Sequence, residues 1–224
     1  MFESAAVLAP SSLQILLGRV MVRLQRGDLA GARTVIAAIP AGVSPTRTAS
    51  FLAITWDLFW ALSDEQQRLL FRLQPSDFDD DRVSWALALA GTASIRGESS
   101  RAKAYGDSAR IELDARLKEI PDDNYLLALR GIAQAYAGNR AEAIRDGERA
   151  IQLLPLSKDG VSGPYNLHLL AKAYTVVGEQ DKAVDALRQL LAHPYFLTRE
   201  WIRIDPDFTP LENNSGFQRL IAGP

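Results

Sequence analysis

Tyr165, His168 and Lys172 stand three and four residues apart, so on a helix they share one face. An imidazole beside a phenol and an ammonium could act as a general-base cluster or a ligand contact. No carboxylate is spaced to orient the imidazole, and the plainer reading is a polar strip on a solvated helix face. Asp79, Asp80 and Asp81 could gather a cation, but they lack the glycine and distal glutamate of a calcium loop. They stand just before a helix, where carboxylates favour the positive dipole end, so capping explains them. Asn213, Asn214 and Ser215 spell a glycosylation acceptor, and Asn214 or Ser215 would equally cap the helix that follows. Ser157 to Gly163 has no phosphate-loop pattern, which leaves Lys158 a weak nucleotide contact. The chain has no cysteine and only two histidines, His168 and His193. Thiol nucleophiles, disulfides, Cys-ligated zinc and a multi-histidine site are thereby excluded within one chain. No nucleophile is spaced with its base, so no catalytic residue, cofactor or metal ligand is expected, and the chain does not read as an enzyme.

The elements that would position these side chains are announced by small residues that recur. Gly138 is followed by Ala143, Ala150 and Pro155, and Gly178 by Ala183, Leu190 and Pro194. Each set reads as a helix, a turn at the glycine, and a second helix ended by proline. A small residue five places after the glycine lets the two helices approach closely. The period of roughly 34 to 40 residues fits tetratricopeptide repeats. The expected fold is therefore all-α, a right-handed helical solenoid of about five helix pairs with a C-terminal capping helix. The array would occupy residues 1–197, with units at 11–40, 45–75, 82–120, 122–155 and 164–194, and the capping segment residues 198–224.

Within this plan Ser11 and Gln14 form a capping-box pattern, and Gly27-Asp28 makes the first turn. Phe51, Leu52, Trp56, Phe59 and Trp60 mark one aromatic helix in the second unit. There Ser63 and Gln66 supply a capping box in place of the glycine, and Arg68 takes the small-residue position. Either the helices of that unit splay or Arg68 points outward. A long helix runs from about Ser99 to Ile120, and residues 154–165 form an extended Gly/Ser/Pro loop. Trp201, Ile202, Phe217 and Leu220 in the tail would seal one end of the stack. The N-terminal end shows no comparable cap, as in a docked or truncated module.

The net charge of −2 and the lack of a basic run argue against a nucleic-acid footprint. No apolar run reaches the roughly 18 residues of a membrane span, so no membrane insertion is expected. The N-terminal stretch, with Arg19 and Arg23 inside it, reads as an amphipathic helix and not a signal peptide. A cytoplasmic location follows, or a periplasmic one if the chain belongs to a longer membrane-anchored protein.

The stretches GDLAGART, FDDDRVSW, RAKAYGDSAR, AGNRAEAIRDGERAIQLLPLSKD, GPYNLHLLAKAYTVVGE and WIRIDPDFTPL resemble the C-terminal tetratricopeptide regions of large bacterial signalling proteins. In those proteins the array follows a serine/threonine kinase or a winged-helix DNA-binding domain. No kinase motif or DNA-binding module is present here, so those activities do not carry over. The resemblance implies a sensory or docking module, non-catalytic, binding a protein or peptide partner.

In such an array the first helix of each unit lines the concave groove. By helical phase Leu17 and Met21 face inward from the first unit, Asp57 and Trp60 from the second, and Leu87 from the third. Tyr125 and Ile132 do so from the fourth, and Tyr165, His168 and Lys172 from the fifth. This mix suits an extended peptide or a helix laid in the groove. A clamp for a C-terminal carboxylate is excluded, because the matched positions are Met21, Asp57, Gly91 and Ile132 instead of Lys, Arg and Asn. Two alternatives stand beside peptide binding. One is a homodimer, and the other is a sensor that binds a small ligand or peptide for a kinase or transcriptional output domain.

Overall fold

A computed structural model describes residues 8–223, which form helices and turns without a strand among them. The N-terminal amphipathic stretch predicted above begins in residues 1–7, outside the described residues. The first hairpin is α1 (Leu13–Leu24) and α2 (Leu29–Ala37). Next come α3 (Pro45–Ile54), a 3₁₀ turn at Leu58–Ala61 and α4 (Asp64–Leu70). A 3₁₀ turn at Pro75–Phe78 leads to α5 (Arg82–Ile95), α6 (Ser99–Glu119), α7 (Asn124–Ala137), α8 (Arg140–Leu153), α9 (Ser162–Val176) and α10 (Gln180–Leu191). The tail holds α11 (Arg199–Ile204), a 3₁₀ segment (Pro206–Leu211) and α12 (Ser215–Ala222). No described helix is long and apolar enough to cross a membrane.

Local sequence sets most boundaries. Ser63 and Gln66 form the reciprocal capping box of α4, and Asp81, Asp123 and Asn214 cap α5, α7 and α12 with their side chains. The cap of α1 is Ser12, one residue later than the sequence pattern suggested, its Oγ facing the Ile15 amide at 3.4 Å. Gly138 and Gly178 close their hairpins with φ of 88° and 80°, a conformation other residues reach only with strain. Arg68 points outward and pairs with Asp64 at 2.9 Å. Ser162, Gly163 and Pro164 belong to α9, so the loop before it is shorter than expected.

The aromatic helix expected from Phe51 to Trp60 is broken. α3 stops at Ile54, Trp56 and Asp57 take left-handed φ of 56° and 57°, and a 3₁₀ turn follows. The break lets Leu58, Phe59 and Trp60 all point into the core, where Trp60 meets Trp201 edge-on at 5.7 Å. One continuous helix would have spread those side chains around its circumference.

From α5 to α10 each helix packs on its sequence neighbours, and α7 also touches α5 and α9. Two glycines make this closeness feasible. A Cβ on Gly106 of α6 would lie 2.8 Å from the Ala137 nitrogen and 2.9 Å from the Ala133 oxygen of α7. One on Gly131 of α7 would lie 3.0 Å from the Gly147 nitrogen of α8.

The two ends of the described chain meet. One apolar cluster joins Leu16, Val20 and Leu24 of α1 with Leu187 of α10 and Trp201, Phe208 and Phe217 of the tail. Gln25 donates to the Phe196 carbonyl at 3.2 Å, and the Thr198 hydroxyl donates to the Gln25 carbonyl at 2.8 Å. The first hairpin therefore has a covering that the sequence reading did not foresee, supplied by residues 196–201.

Gly106→Ala is expected to lower stability by about 1–3 kcal/mol through overpacking against α7 backbone. Gly42→Ala, whose Cβ would meet nothing within 4 Å, should leave the urea midpoint unchanged or slightly raised. Equal midpoints for the two variants would show that helix contact at Gly106 is not limiting.

Candidate functional site

The break after α3, the inner face of α9 and the tail converge on one polar cluster. Its centre is Lys172 of α9, 2 % exposed. The ammonium lies 2.9 Å from an Asp207 carboxylate oxygen and 3.6 Å from one of Asp57. The Lys172–Asp207 contact is a close ion pair between two buried side chains. The Tyr165 hydroxyl donates to Asp57 at 3.2 Å. Asp205 accepts from the Asp207 amide at 3.0 Å and from the Trp201 indole at 3.2 Å. Three carboxylates thus stand around one buried ammonium, two of them buried with it and Asp57 partly exposed.

Burial and mutual repulsion set the protonation of this cluster. Desolvation, reinforced by the Asp207 charge, pushes Asp205 up to about 7. Desolvation also raises Asp57, against the pull of Lys172. Lys172 is held above the ordinary lysine range because Asp207 and Asp57 outweigh its own desolvation. His168 is pushed well below the usual imidazole range by burial, then by Lys172, and is therefore neutral. Its ring stacks on Phe208 at 6.1 Å, the Tyr195 hydroxyl lies 3.3 Å from Nδ1, and Nε2 has no partner.

An aromatic layer covers the Asp57 side of the cluster. Trp56 lies edge-on to Tyr165 at 5.4 Å and to Tyr195 at 6.4 Å, and Tyr125 leans over Tyr165 at 6.2 Å. Tyr125 is 47 % exposed, and the Asp57 side chain keeps 21 % of its surface. Asn166 donates to Asn124 at 2.8 Å, which ties the start of α9 to the start of α7 and holds the two tyrosines in register. On the far side, Asp207 and Tyr136 line a cleft of about 360 Å³ with Ser94, Thr175, Pro206 and Pro210.

The structure brings together four of the residues predicted to face a groove: Asp57, Tyr165, His168 and Lys172. Two of them are misread as solvated. His168 and Lys172 are buried, because Asp207 and Phe208 of the tail and Tyr195 and Phe196 of the preceding loop occupy the space above them. Leu17, Trp60 and Ile132 are core residues, and Met21 and Leu87 are half-buried. Tyr125 alone of the ten presents a largely open face. Trp56, Tyr195, Asp205 and Asp207 went unrecognised. The available signal is the alternation of acids with apolar residues in the tail, Ile204-Asp205-Pro206-Asp207-Phe208.

Asp81 accepts from the Val83 amide and from Arg116 at 2.8 Å, as a capping residue would. Asn214 accepts from the Gly216 and Phe217 amides. Among the described residues no cluster is arranged to hold a metal ion. No protein-family model matches the chain, and no curated protein does.

The cluster makes stability depend on pH. Asp205 ionises near 3.9 in an unfolded chain and near 7 here, so its contribution is fully present below the lower value and lost as pH rises through about 7. Asp57 acts in the same direction. Buried neutral His168 opposes both below about pH 6.5, where the unfolded chain takes up its proton. Between about pH 6.5 and 8 the native protein should lose on the order of 1 kcal/mol, a few degrees in Tm. In Asp205→Asn that loss should shrink to near zero, whatever the variant's absolute Tm. Lys172→Met leaves uncompensated buried carboxylates and should cost about 3–5 kcal/mol at neutral pH, less in mild acid.

Proposed function

We propose that this chain is a non-catalytic interaction module of the tetratricopeptide type, serving a bacterial signalling or regulatory system, and that it binds a protein partner through the aromatic mouth formed by Trp56, Tyr125, Tyr165 and Tyr195. The observation that carries the reading is Tyr125, whose ring is 47 % exposed and continuous with the half-buried Tyr165 and Trp56. Aromatic side chains offer large contact area at low entropic cost, and they are the usual anchors of interfaces. Helix hairpins turning at Gly27, Gly97, Gly138 and Gly178, each with a buried alanine five residues on, support the repeat assignment. Ala32, Ala102, Ala143 and Ala183 are those alanines. Burial of His168 and Lys172 favours a structural role for them over acid–base work, since neither side chain is open to the surface.

The groove of this module is partly filled by its own tail, so a partner would sit at the mouth and not along the whole inner face. A second reading is supported by the cleft beside Asp207 and Tyr136, whose size suits a small ligand and whose hydroxyl-rich wall suits a polar one. Tyr125→Ala separates the two readings. It should abolish capture of a partner by the immobilised chain while leaving Tm within about 1 °C, as for an exposed residue. Undiminished capture would move the site away from the mouth.

A further inference from the structure

The carboxylates around the aromatic mouth outnumber the cations that offset them. Asp57 accepts a hydrogen bond from the Tyr165 hydroxyl, and burial, followed by the charges of Asp57, Asp81 and Asp123, pushes the Tyr125 hydroxyl up. Arg116, 2.8 Å from Asp81, offsets one of these charges. Lys172 is shared between Asp207, at 2.9 Å, and Asp57, at 3.6 Å, so it offsets the Asp57 charge only in part. What is left over is negative charge behind exposed ring faces. The Asp57 side chain keeps 21 % of its surface, on the side of the mouth. The backbone here is also held in a costly form, with Trp56 and Asp57 both left-handed. Two successive residues of this kind cost about 1–2 kcal/mol each, and they persist where the surroundings hold them. The consequence is that Trp56 turns toward Tyr165 while Asp57 turns under it.

Ring faces attract cations through their quadrupole, and a carboxylate close behind them strengthens that attraction. A guanidinium suits the arrangement better than an ammonium, because it is flat, stacks on a ring and can still donate to a carboxylate at its edge. We infer that the mouth docks an arginine side chain from an extended segment of a partner protein, the guanidinium lying on Tyr125 and directed toward Asp57. This rests on the docking role proposed above and specifies its chemistry.

The test is fluorescence anisotropy on the full chain with a dye-labelled peptide of alternating glycine and arginine. The control peptides replace arginine by citrulline, which keeps the shape and removes the charge, or by leucine. Saturable binding of the arginine peptide, weakened about tenfold in Tyr125→Ala, retained in Tyr125→Phe and reduced by added salt, is the expected result. Asp57→Asn should weaken it further, provided its circular dichroism matches the native chain. Equal binding of the citrulline peptide, or indifference to Tyr125→Ala, overturns the inference. Tyr125-dependent binding of the leucine peptide alone would also overturn it while leaving the mouth as the docking surface. If none of the peptides binds and Tyr125→Ala leaves partner capture unchanged, both readings fall.

Discussion

Lys172 is the constraint on which the interior turns. An ammonium withdrawn from water costs several kcal/mol unless charge and hydrogen-bonding partners replace the solvent. Here the compensating groups come from places far apart in the chain: Asp57 after α3, and Asp205 and Asp207 in the tail. Neither segment is regular enough to fix itself. The loop at Trp56-Asp57 occupies an unfavourable backbone region, and the tail segment is a short 3₁₀ helix. Both are anchored because leaving either carboxylate away from Lys172 would strand buried charge. The net contribution of such a cluster to stability is small or negative compared with an apolar replacement, and its effect is to select one arrangement of chain.

That selection explains why the two ends of the described chain come together. Once Asp207 is pinned to α9, Phe208 stacks on His168 and Trp201 is carried against Trp60. The hydrogen bonds between Gln25 and residues 196–198 then join the first hairpin to the same unit. Apolar burial does most of the energetic work in these contacts, since Trp60, Trp201 and Phe208 are almost wholly enclosed. The charge cluster decides where that burial occurs.

What could be read from sequence follows the range of the interactions involved. Hairpin turns, caps and the long α6 are decided within a few residues, by glycine at a left-handed position or by a side-chain oxygen over free amides. They are legible for that reason, and the offset of one residue at Ser12 is the size of error such signals carry. The break after Ile54 was not legible. The spacing of Phe51, Trp56 and Trp60 is locally that of a helix, and what overrides it is a tyrosine 108 residues away and a lysine beyond it. The site suffered the same way. Tyr165, His168 and Lys172 were placed correctly on one face, yet their burial depends on the tail, and no local pattern announces that a tail will fold inward.

The layering of the site bears on what it can do. An acid–base device needs its titrating group at the surface that meets substrate. In this chain Asp205 and His168, both with strongly shifted protonation, are buried behind the mouth, while Tyr125 stands at the surface. The gradient runs from fixed charge inside to aromatic faces outside. That order suits recognition, because a preorganised field acts on an arriving group without any rearrangement, and ring faces supply contact area while excluding water. It also ties affinity to folding. Asp57 and Asp207 pair with the same ammonium, so a change that loosens Pro206–Leu211 would reach the residues around Trp56 and Tyr165 through Lys172.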